Sequence, residues 1–299
     1  MKVKTAVIAA AGFGSRFLPY VKDIPKEMLP IIDRPSIQFS VEECIDAGME
    51  NIIVVVRGGN SLIEDYFTKP AKDVHELLAS QGRLERFDQV ERVLGFKGLK
   101  FINQDMSLPY GNGSPIYSAK HLLDPNEPFV AMFGDDMFMS NTEKGGVAQI
   151  VEFYNQYGNG TDGVIAGEQL PVEEIIGKLA NVKFKEFDEV GKHGVMDYQI
   201  EKPTREQLVS DVMTYGRMVL TPKVFDYLTP TATGLANELW LQDAIAKMAK
   251  TGTVRVKVMD GKWITTGDPE RYFSVVVRYY LRHEKYGPKA KEFLQSLSL

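Results

Sequence analysis

The first residues that could do chemistry form a glycine-rich loop followed by two cations. Gly12 and Gly14 come just after the apolar run 3–9, and Arg16 and Lys26 follow on the same long loop. Two glycines let the backbone turn sharply and approach a ligand closely, because no Cβ blocks the way. Free N–H groups in such a turn attract phosphate, and a guanidinium adds a forked positive charge. The pattern predicts a phosphorylated ligand, with an ordinary strand-to-helix turn as the alternative.

Two adjacent carboxylates form a second candidate. Asp135 and Asp136 closely follow the apolar run 129–133, which is predicted to be a buried strand. Carboxylates at the end of such a strand are costly to hold unless something balances their charge. Mg²⁺ would balance it, since this ion binds one or two carboxylates together with phosphate oxygens. The pair is therefore a candidate metal site, with a solvated turn as the alternative.

A third candidate is the segment Glu201-Lys202-Pro203. Pro203 biases Lys202 toward an extended conformation, and neighbouring residues of an extended segment point to opposite sides. Glu201 could then accept sugar hydroxyls while Lys202 contacts a phosphate. An exposed charged turn is the alternative reading of this segment.

Composition limits the function classes. The 299 residues are 44% hydrophobic and 25% charged with a net charge of −5, which suits a globular protein and disfavours a general nucleic-acid or membrane binder. Cys44 is the only cysteine, and the four histidines share no ligand-like spacing, so a disulfide and a zinc site are not expected. No apolar run reaches the length of a membrane span and the first residues do not resemble a leader, so a cytoplasmic protein is predicted.

The elements that must position these residues follow an α/β pattern. Strand 3–9, a helix with Ile37, Val41 and Ile45 on one face, and strand 52–56 form a predicted βαβ unit, which builds a parallel sheet. The loop between the first strand and this helix exceeds the roughly 2–6 residues usual in such units, and long loops at strand ends bind ligands in open sheets.

Two further helices are predicted, over residues 71–95 and 269–282. Residues 71–95 are expected to be helical, with an apolar stripe that packs against the core, and residues 269–282 are expected to form a helix near the C-terminus. No internal repeat or flexible linker interrupts the chain. One compact unit is therefore predicted.

The motifs, with the segments around them, resemble those of the sugar-phosphate nucleotidyltransferases. The matches occur in the family's order from residue 3 to about residue 282. They comprise Ala10-Ala11-Gly12-Phe13-Gly14-Ser15-Arg16-Phe17-Leu18-Pro19, Ile24-Pro25-Lys26-Glu27-Met28-Leu29-Pro30, Asp33-Arg34-Pro35, Ile37-Gln38, Gly134-Asp135-Asp136, Glu201-Lys202-Pro203 and Gly216-Arg217-Met218-Val219-Leu220-Thr221-Pro222. The segment 25–30 favours members that transfer a uridylyl group, because the thymidylyl relatives carry a shorter version.

The resemblance implies a Rossmann-like three-layer nucleotidyltransferase fold with a central mixed, mostly parallel sheet and a C-terminal helical extension. It implies one domain over residues 1–299. Within that domain, residues 1–140 would mainly hold the nucleotide, residues 141–265 would mainly hold the sugar, and residues 266–299 would form the C-terminal helices.

Residue roles also follow from the resemblance, position by position. The catalytic set would be Arg16, Lys26, Asp135 and Lys202. The nucleotide would lie against Ala10, Ala11, Gly12, Gly14, Glu27, Gln104 and Gly113. The sugar would contact Asp136, Gly177 and Glu201, and Asp135 would be the Mg²⁺ ligand.

Two segments depart from the family pattern. The stretch 110–115 reads Tyr-Gly-Asn-Gly-Ser-Pro, with altered spacing in the region that reads the base. Thr265 stands where relatives often carry an aspartate, which is a second metal ligand in the thymidylyl relatives. Asp268 could replace that ligand or could simply cap the following helix.

The implied reaction joins UTP and glucose 1-phosphate to give UDP-glucose and pyrophosphate, with Mg²⁺ as cofactor. The resemblance implies a homodimer or homotetramer, with no nucleic-acid or membrane partner. The alternatives are a glucose-1-phosphate thymidylyltransferase, a nucleotide-sugar-dependent glycosyltransferase and a non-catalytic sugar-nucleotide sensor. A dinucleotide oxidoreductase is disfavoured, because the glycine loop lacks its third glycine and Arg57 ends the second strand.

Overall fold

A computed structural model describes residues 2–59, 61–234 and 237–297 of the chain. Its strands are β1 (Thr5–Ala10), β2 (Pro30–Ile31), β3 (Arg34–Pro35), β4 (Asn51–Val56), β5 (Leu99–Asn103), β6 (Phe129–Phe133), β7 (Asp136–Ser140), β8 (Gly163–Gln169), β9 (Ala180–Asp188), β10 (His193–Glu201), β11 (Val212–Leu220), β12 (Val254–Val258) and β13 (Gly261–Thr265). Its α-helices are α1 (Ser36–Asp46), α2 (Leu62–Thr68), α3 (Lys72–Ser80), α4 (Asp88–Leu94), α5 (Gly113–Ser118), α6 (Gly146–Tyr157), α7 (Val172–Ile175), α8 (Leu241–Thr251), α9 (Pro269–Arg282) and α10 (Gly287–Ser296).

Among the described residues, nine strands form one sheet in the order β5-β4-β1-β6-β11-β8-β12-β10-β9. The first four strands are parallel, as are β8 and β12. β11 runs antiparallel to both β6 and β8, and β9 and β10 form an antiparallel hairpin. The mixed sheet agrees with the prediction, but parallel pairing dominates only in the first half, because a short turn like that between β9 and β10 can join only antiparallel strands.

Helices cover both faces of this sheet. Along β1, Ala6 and Ile8 belong to the core beneath α1 and α6, whereas Val7 and Ala9 belong to the core beneath α5 and α8. Alternate side chains of a strand point to opposite faces, so a strand that is covered twice must be apolar throughout. This explains the continuous apolar runs in the sequence. The result is the three-layer arrangement that the sequence predicts.

The sheet places the candidate residues at one edge. β1 and β6 are parallel neighbours, with Ala9 opposite Phe133, and the Gly134 N–H donates to the Ala9 carbonyl at 2.9 Å. The glycine loop after β1 and the Asp135-Asp136 turn after β6 therefore leave the sheet side by side. Such an edge is where open α/β sheets bind ligands.

The predicted helix over 71–95 is wrong in its continuity and in part of its packing. α3 ends at Ser80, Gly82 adopts φ 65°, and α4 starts only at Asp88. Gly82 ends the helix because a left-handed residue satisfies the last carbonyls without a Cβ clash. Leu77 and Leu84 of the predicted stripe are exposed, and Phe87 is buried. Within the described ranges, no helix is both long enough and apolar enough to cross a bilayer.

Candidate active site

A cleft of about 450 Å³ opens at this edge, between the two halves of the sheet. Of the residues assigned from the sequence, its walls include Ala11, Gly12, Gly14, Arg16, Lys26, Glu27, Gln104, Asp135, Asp136, Glu201 and Lys202. Four others, Ala10, Gly113, Gly177 and Asp268, do not line it. The structure thus brings together residues that are almost 200 positions apart in sequence.

The glycine loop packs directly on Lys26. Gly14 has φ 61°, and a Cβ there would lie 3.3 Å from Lys26 and from Val21. A Cβ on Gly12 would lie 3.6 Å from Lys26 Cε. Gly14 is therefore the glycine that the loop requires, because its backbone is left-handed and a Cβ there would be tight, whereas a Cβ on Gly12 would make an ordinary contact. Arg16 follows on this loop with an exposed side chain.

Lys26 forms the central ion pair of the cleft. Its Nζ lies 2.5 Å from Asp135 Oδ2 and 3.9 Å from Glu27 Oε1, and its side chain is only 14% exposed. Burial opposes the charge on Lys26, but Asp135 and Glu27 outweigh it and raise the pKa of the ammonium above its usual range. The lysine therefore stays protonated and can neutralise an incoming phosphate.

Glu27 and Asp136 lie deeper than this ion pair. Burial raises the pKa of Glu27 to about 7, against the opposing effect of Lys26, and its Oε2 has no hydrogen-bond partner in the described part of the chain. Burial, with Asp135 adding to it, raises the pKa of Asp136 to about 6 although Arg217 opposes the shift. Of the neighbouring pair at the strand end, Asp135 is thus the carboxylate that is open to the cleft.

The carbonyl of Asp135 is held by three donors. It accepts hydrogen bonds from the Thr266 N–H at 2.8 Å, from Thr265 Oγ1 at 3.1 Å and from Thr266 Oγ1 at 3.2 Å. Thr265 lies opposite Asp136 in the β7–β13 pair, which brings it to this turn. Where relatives carry a carboxylate, this chain thus has a hydroxyl that fixes the backbone of Asp135.

The buried ion pair between Arg217 and Glu43 holds the backbone of Asp136. Arg217, 1% exposed on β11, contacts Glu43 of α1 at 2.9 Å and donates to the Asp136 carbonyl at 2.9 Å. Glu43 also accepts from the Val147 N–H at 2.8 Å, at the start of α6. Burial opposes the charge, but Glu43 raises the pKa of Arg217. The sequence motif 216–222 contains Arg217 without indicating its role, and the one signal for that role is a single charge within the otherwise uncharged strand 212–220.

The end of the cleft that is predicted to bind the sugar departs from the predicted geometry. Lys202 adopts φ 48°, so its predicted extended conformation is wrong. Its N–H donates to the Leu179 carbonyl at 3.2 Å, and the Gly177 N–H donates to the Pro203 carbonyl at 2.9 Å. These long-range hydrogen bonds override the local preference set by Pro203. They also use the N–H of Gly177, whose backbone was predicted to contact the sugar, and Lys178, which no motif indicated, lines the cleft.

The end of the cleft that is predicted to bind the base is bordered by residues 110–112. Backbone hydrogen bonds join this stretch and the next residue to Leu239. The N–H of Gly113, whose backbone was predicted to contact the base, donates to the Leu239 carbonyl at 2.8 Å, and the Leu239 N–H donates to the Tyr110 carbonyl at 2.7 Å. The Tyr110 ring lies 5.8 Å from the Phe13 ring, and the Arg57 guanidinium lies 4.9 Å from the centre of the Phe13 ring. The side chain of Gln104 lines the same end.

Asp268 serves the C-terminal helix and not the cleft. Its Oδ1 accepts from the Arg271 N–H at 2.9 Å, so it is the N-cap of α9, and its Oδ2 lies 3.5 Å from Arg271 Nε. Of the two roles predicted for Asp268, capping of the following helix is the one that the geometry shows. The described residues contain no cluster of three or more His, Cys, Asp or Glu that could hold a metal. Asp135, next to the unpartnered Glu27 Oε2, fits an ion held mostly by phosphate oxygens of a ligand.

Comparison with known proteins gives consistent matches over the full chain. Residues 5–280 match the Nucleotidyl transferase family. UTP–glucose-1-phosphate uridylyltransferase of Staphylococcus epidermidis is 32% identical over 302 residues, covering 100% of this chain and 99% of that protein. The enzyme of the same name from Streptococcus pneumoniae is 35% identical over 298 residues, covering 99% of this chain and 96% of that protein.

Two solved structures are also similar. A UTP-bound UGPase from Acinetobacter baumannii has a TM-score of 0.87 at 27% identity, covering 99% of this chain and all of the other. A UDP-glucose pyrophosphorylase in complex with UDP-glucose has a TM-score of 0.79 at 28% identity, covering 94% of this chain and all of the other. Both structures thus share the fold of this chain over nearly its whole length.

Proposed function

The chain belongs to the Nucleotidyl transferase family, and from this premise we propose that it joins UTP and glucose 1-phosphate to form UDP-glucose and pyrophosphate. The predicted family and fold class are confirmed by the matches of sequence and structure. The observation that carries the proposal is the Lys26–Asp135 pair, which lies where the glycine loop and the β6 end meet, inside a cleft that continues to Glu201 and Lys202.

The reaction needs positioning and charge neutralisation rather than a protein nucleophile. A phosphate oxygen of glucose 1-phosphate attacks the α-phosphorus of UTP, and the bond from that phosphorus to the departing pyrophosphate breaks. Arg16 and Lys26 stabilise the negative charge that develops on pyrophosphate. Lys202 holds the phosphate of the sugar so that its oxygen lies in line with the bond that breaks.

A divalent ion, Mg²⁺ in this proposal, would neutralise phosphate charge and polarise the α-phosphate. Asp135 would hold it together with phosphate oxygens of the substrate. Asp136 is a weaker candidate ligand, since it is 7% exposed and its Oδ2 accepts from the Gly216 N–H at 3.2 Å. Asp268 does not line the cleft and is the N-cap of α9, so this geometry favours Asp135 over Asp268 as the ligand.

The remaining assignments are proposals of the same kind. Gln104 reads the imide edge of the base at the end of the cleft that Phe13 and Tyr110 border. Glu201 accepts hydroxyls of glucose. One nucleotidyltransferase domain would span residues 1–299 in a homodimer or homotetramer, and the enzyme would act in the cytoplasm.

Phosphorus NMR of the reaction mixture tests the proposed function directly. With UTP, glucose 1-phosphate and Mg²⁺, we expect UDP-glucose and pyrophosphate in equal amounts, and neither product when one substrate is omitted. A glycosyltransferase would consume UDP-glucose without using pyrophosphate. A sensor would bind UDP-glucose and turn nothing over. Either of these results would contradict the proposal.

A further inference from the structure

Arg271 is a cation of the cleft wall that has no counterpart among the predicted site residues. Arg271 lies in the first turn of α9 and lines the cleft, although its helix belongs to the C-terminal extension. We propose that Arg271 is a further substrate-binding residue, which contacts phosphate oxygens, and that Asp268 is its positioning residue. The inference rests on the proposed function, whose substrates both carry phosphate.

Two contacts orient the side chain of Arg271 and leave its terminal nitrogens available to a ligand. Asp268 Oδ2 lies 3.5 Å from Nε, and the guanidinium lies 5.8 Å from the centre of the Trp263 ring, which also borders the cleft. The side chain is 42% exposed, and its two terminal nitrogens donate no hydrogen bond within the part of the chain that the structure describes. Two adjacent free donors on a planar guanidinium match the oxygens of a phosphate.

The helix that carries Arg271, α9, packs against residues 30–31, which follow the glycine loop and Lys26. The Tyr272 hydroxyl donates to the Pro30 carbonyl at 2.7 Å, and Val275, 1% exposed, packs in one cluster with Ile31 and Met137. Asp268 caps the same turn. Three contacts within the first two turns therefore hold the Arg271 backbone in place, at the segment that follows Lys26.

The segment that leads into α9 lies against Asp135. A Cβ on Gly267 would lie 3.1 Å from Asp135 Oδ2, so the chain touches that carboxylate four residues before Arg271. Thr265 donates to the Asp135 carbonyl, and Asp268 is occupied by the helix. Gly267 and Arg271 both line this wall of the cleft, and a guanidinium there suits phosphate oxygens better than a metal ion.

The phosphate could come from either substrate, and three probes distinguish the sources. Binding of UTP, inorganic pyrophosphate and glucose 1-phosphate is measured separately by calorimetry on the full chain, together with KM for both substrates. We expect Arg271→Met to weaken at least one of these ligands tenfold or more. The ligand that loses affinity identifies the phosphate that Arg271 contacts.

Arg278→Met is the matched control, because Arg278 is exposed on the same helix and does not line the cleft. We expect it to leave all three affinities within about twofold of wild type, as expected of an uncoupled surface side chain. Arg271→Lys, which keeps the charge, should recover part of the loss. If Arg271→Met leaves all three affinities unchanged, or if the wild type binds none of the probes, the inference is wrong.

Asp268→Asn separates helix capping from side-chain positioning. Asparagine is as good an N-cap as aspartate, but it removes the charge that orients Arg271. We expect it to weaken the same ligand as Arg271→Met, and the double variant to be no weaker than Arg271→Met alone. Mn²⁺ binding to the UTP complex, followed by electron paramagnetic resonance, should be unchanged. Additive losses, or a loss of Mn²⁺ in Asp268→Asn only, would overturn the positioning role.

The binding arms need no turnover, so the two proposals can fail separately. If UTP and glucose 1-phosphate bind but no UDP-glucose forms, the proposed function fails, and a tenfold effect of Arg271→Met still supports the phosphate contact. If UDP-glucose forms and Arg271→Met binds every probe as the wild type does, the inference about Arg271 fails alone.

Discussion

In the proposed mechanism, the chemistry of the cleft depends most on the side chain of Asp135. It pairs with Lys26 at 2.5 Å, and its carbonyl is held by Thr265 and Thr266. The backbone is thus fixed independently of the carboxylate. A change confined to the carboxylate should therefore alter the reaction without altering the fold.

Asp135→Asn should reduce kcat by about 100-fold or more, roughly 2.7 kcal/mol of transition-state stabilisation, because an amide supplies no negative charge to a metal or to Lys26. The melting temperature should stay near that of the wild type. Asp73→Asn, an exposed carboxylate in the first turn of α3, is the control for kcat. Near-normal Mg²⁺-dependent activity in Asp135→Asn would remove the residue from the mechanism.

Lys202 tests the sugar end in the same way. Lys202→Ala should weaken glucose 1-phosphate and UDP-glucose by about 1.5–3 kcal/mol each, because one charge-assisted contact to phosphate is lost. Binding of both ligands is measured by calorimetry. Lys183→Ala, an exposed lysine of β9 that does not line the cleft, is the control. Unchanged affinity for both ligands would leave Glu201-Lys202-Pro203 as a surface turn.

Glu27 makes stability depend on pH. Burial raises its pKa from 4.5 to about 7, so the folded state binds this proton more tightly than the unfolded chain does. Its stabilising contribution is complete below the unfolded pKa and is lost as the pH rises through the folded value. Ionisation of Glu27 should therefore destabilise the fold between these two values.

Glu27→Gln should lack this loss. Between about pH 5 and about pH 8, the free energy of unfolding of the variant should rise relative to wild type by on the order of 2 kcal/mol. Urea denaturation without divalent metal measures it, with the exposed Glu64→Gln as control. Parallel pH profiles for wild type and Glu27→Gln would contradict the prediction.

At the scale of elements, the Arg217–Glu43 pair joins β11 to α1 and, through the Val147 N–H, to α6. Arg217→Met leaves a buried carboxylate without its cation, which typically costs about 3–5 kcal/mol. Adding Glu43→Met removes that unpaired charge. The loss in the double variant should therefore be smaller than the sum of the single losses by about 1 kcal/mol or more.

Urea denaturation of the four proteins in this cycle measures the coupling energy. The exposed pair Lys144–Glu152, at 2.7 Å with side chains 58% and 61% exposed, provides the matched cycle. Its coupling should be below about 1 kcal/mol, because solvent screens it. Additive losses for Arg217 and Glu43 would show that the pair does not hold these elements together.

Elements were predictable where one local rule dominated. The helix predicted over 269–282 is α9 to the residue, since Asp268 and Pro269 begin it and its apolar face is periodic. The single helix predicted over 71–95 was wrong, because Gly82 ends α3 although the apolar residues keep a helical spacing across it. The extended conformation predicted for Lys202 was wrong, because two backbone hydrogen bonds with residues 177–179 outweigh the preference set by Pro203.

At the scale of the whole molecule, the cleft exists because strands from distant parts of the chain share one sheet. β6 pairs with β1 and with β11, so the Asp135 turn faces both halves of the sheet. From the sequence, eleven of the residues that line the cleft could be assigned, between Ala11 and Lys202. No motif indicated Lys178 or Arg271, which reach the cleft only through tertiary contacts, and Tyr110 was quoted only within the departing stretch 110–115. The division at residues 140 and 265 stays a prediction.

The central claim is that this cleft is built for UTP and glucose 1-phosphate. Pyrophosphate release, measured as kcat/KM for UTP, dTTP, CTP and ATP with glucose 1-phosphate, tests it most directly. The Gln104 amide can pair with the imide edge of uracil or thymine, and a single methyl group is worth only about 1–3 kcal/mol of discrimination. We therefore expect UTP to be preferred, dTTP to be used roughly 10–100-fold less well, and ATP to give little activity. A preference for dTTP or CTP would contradict the uridylyl assignment.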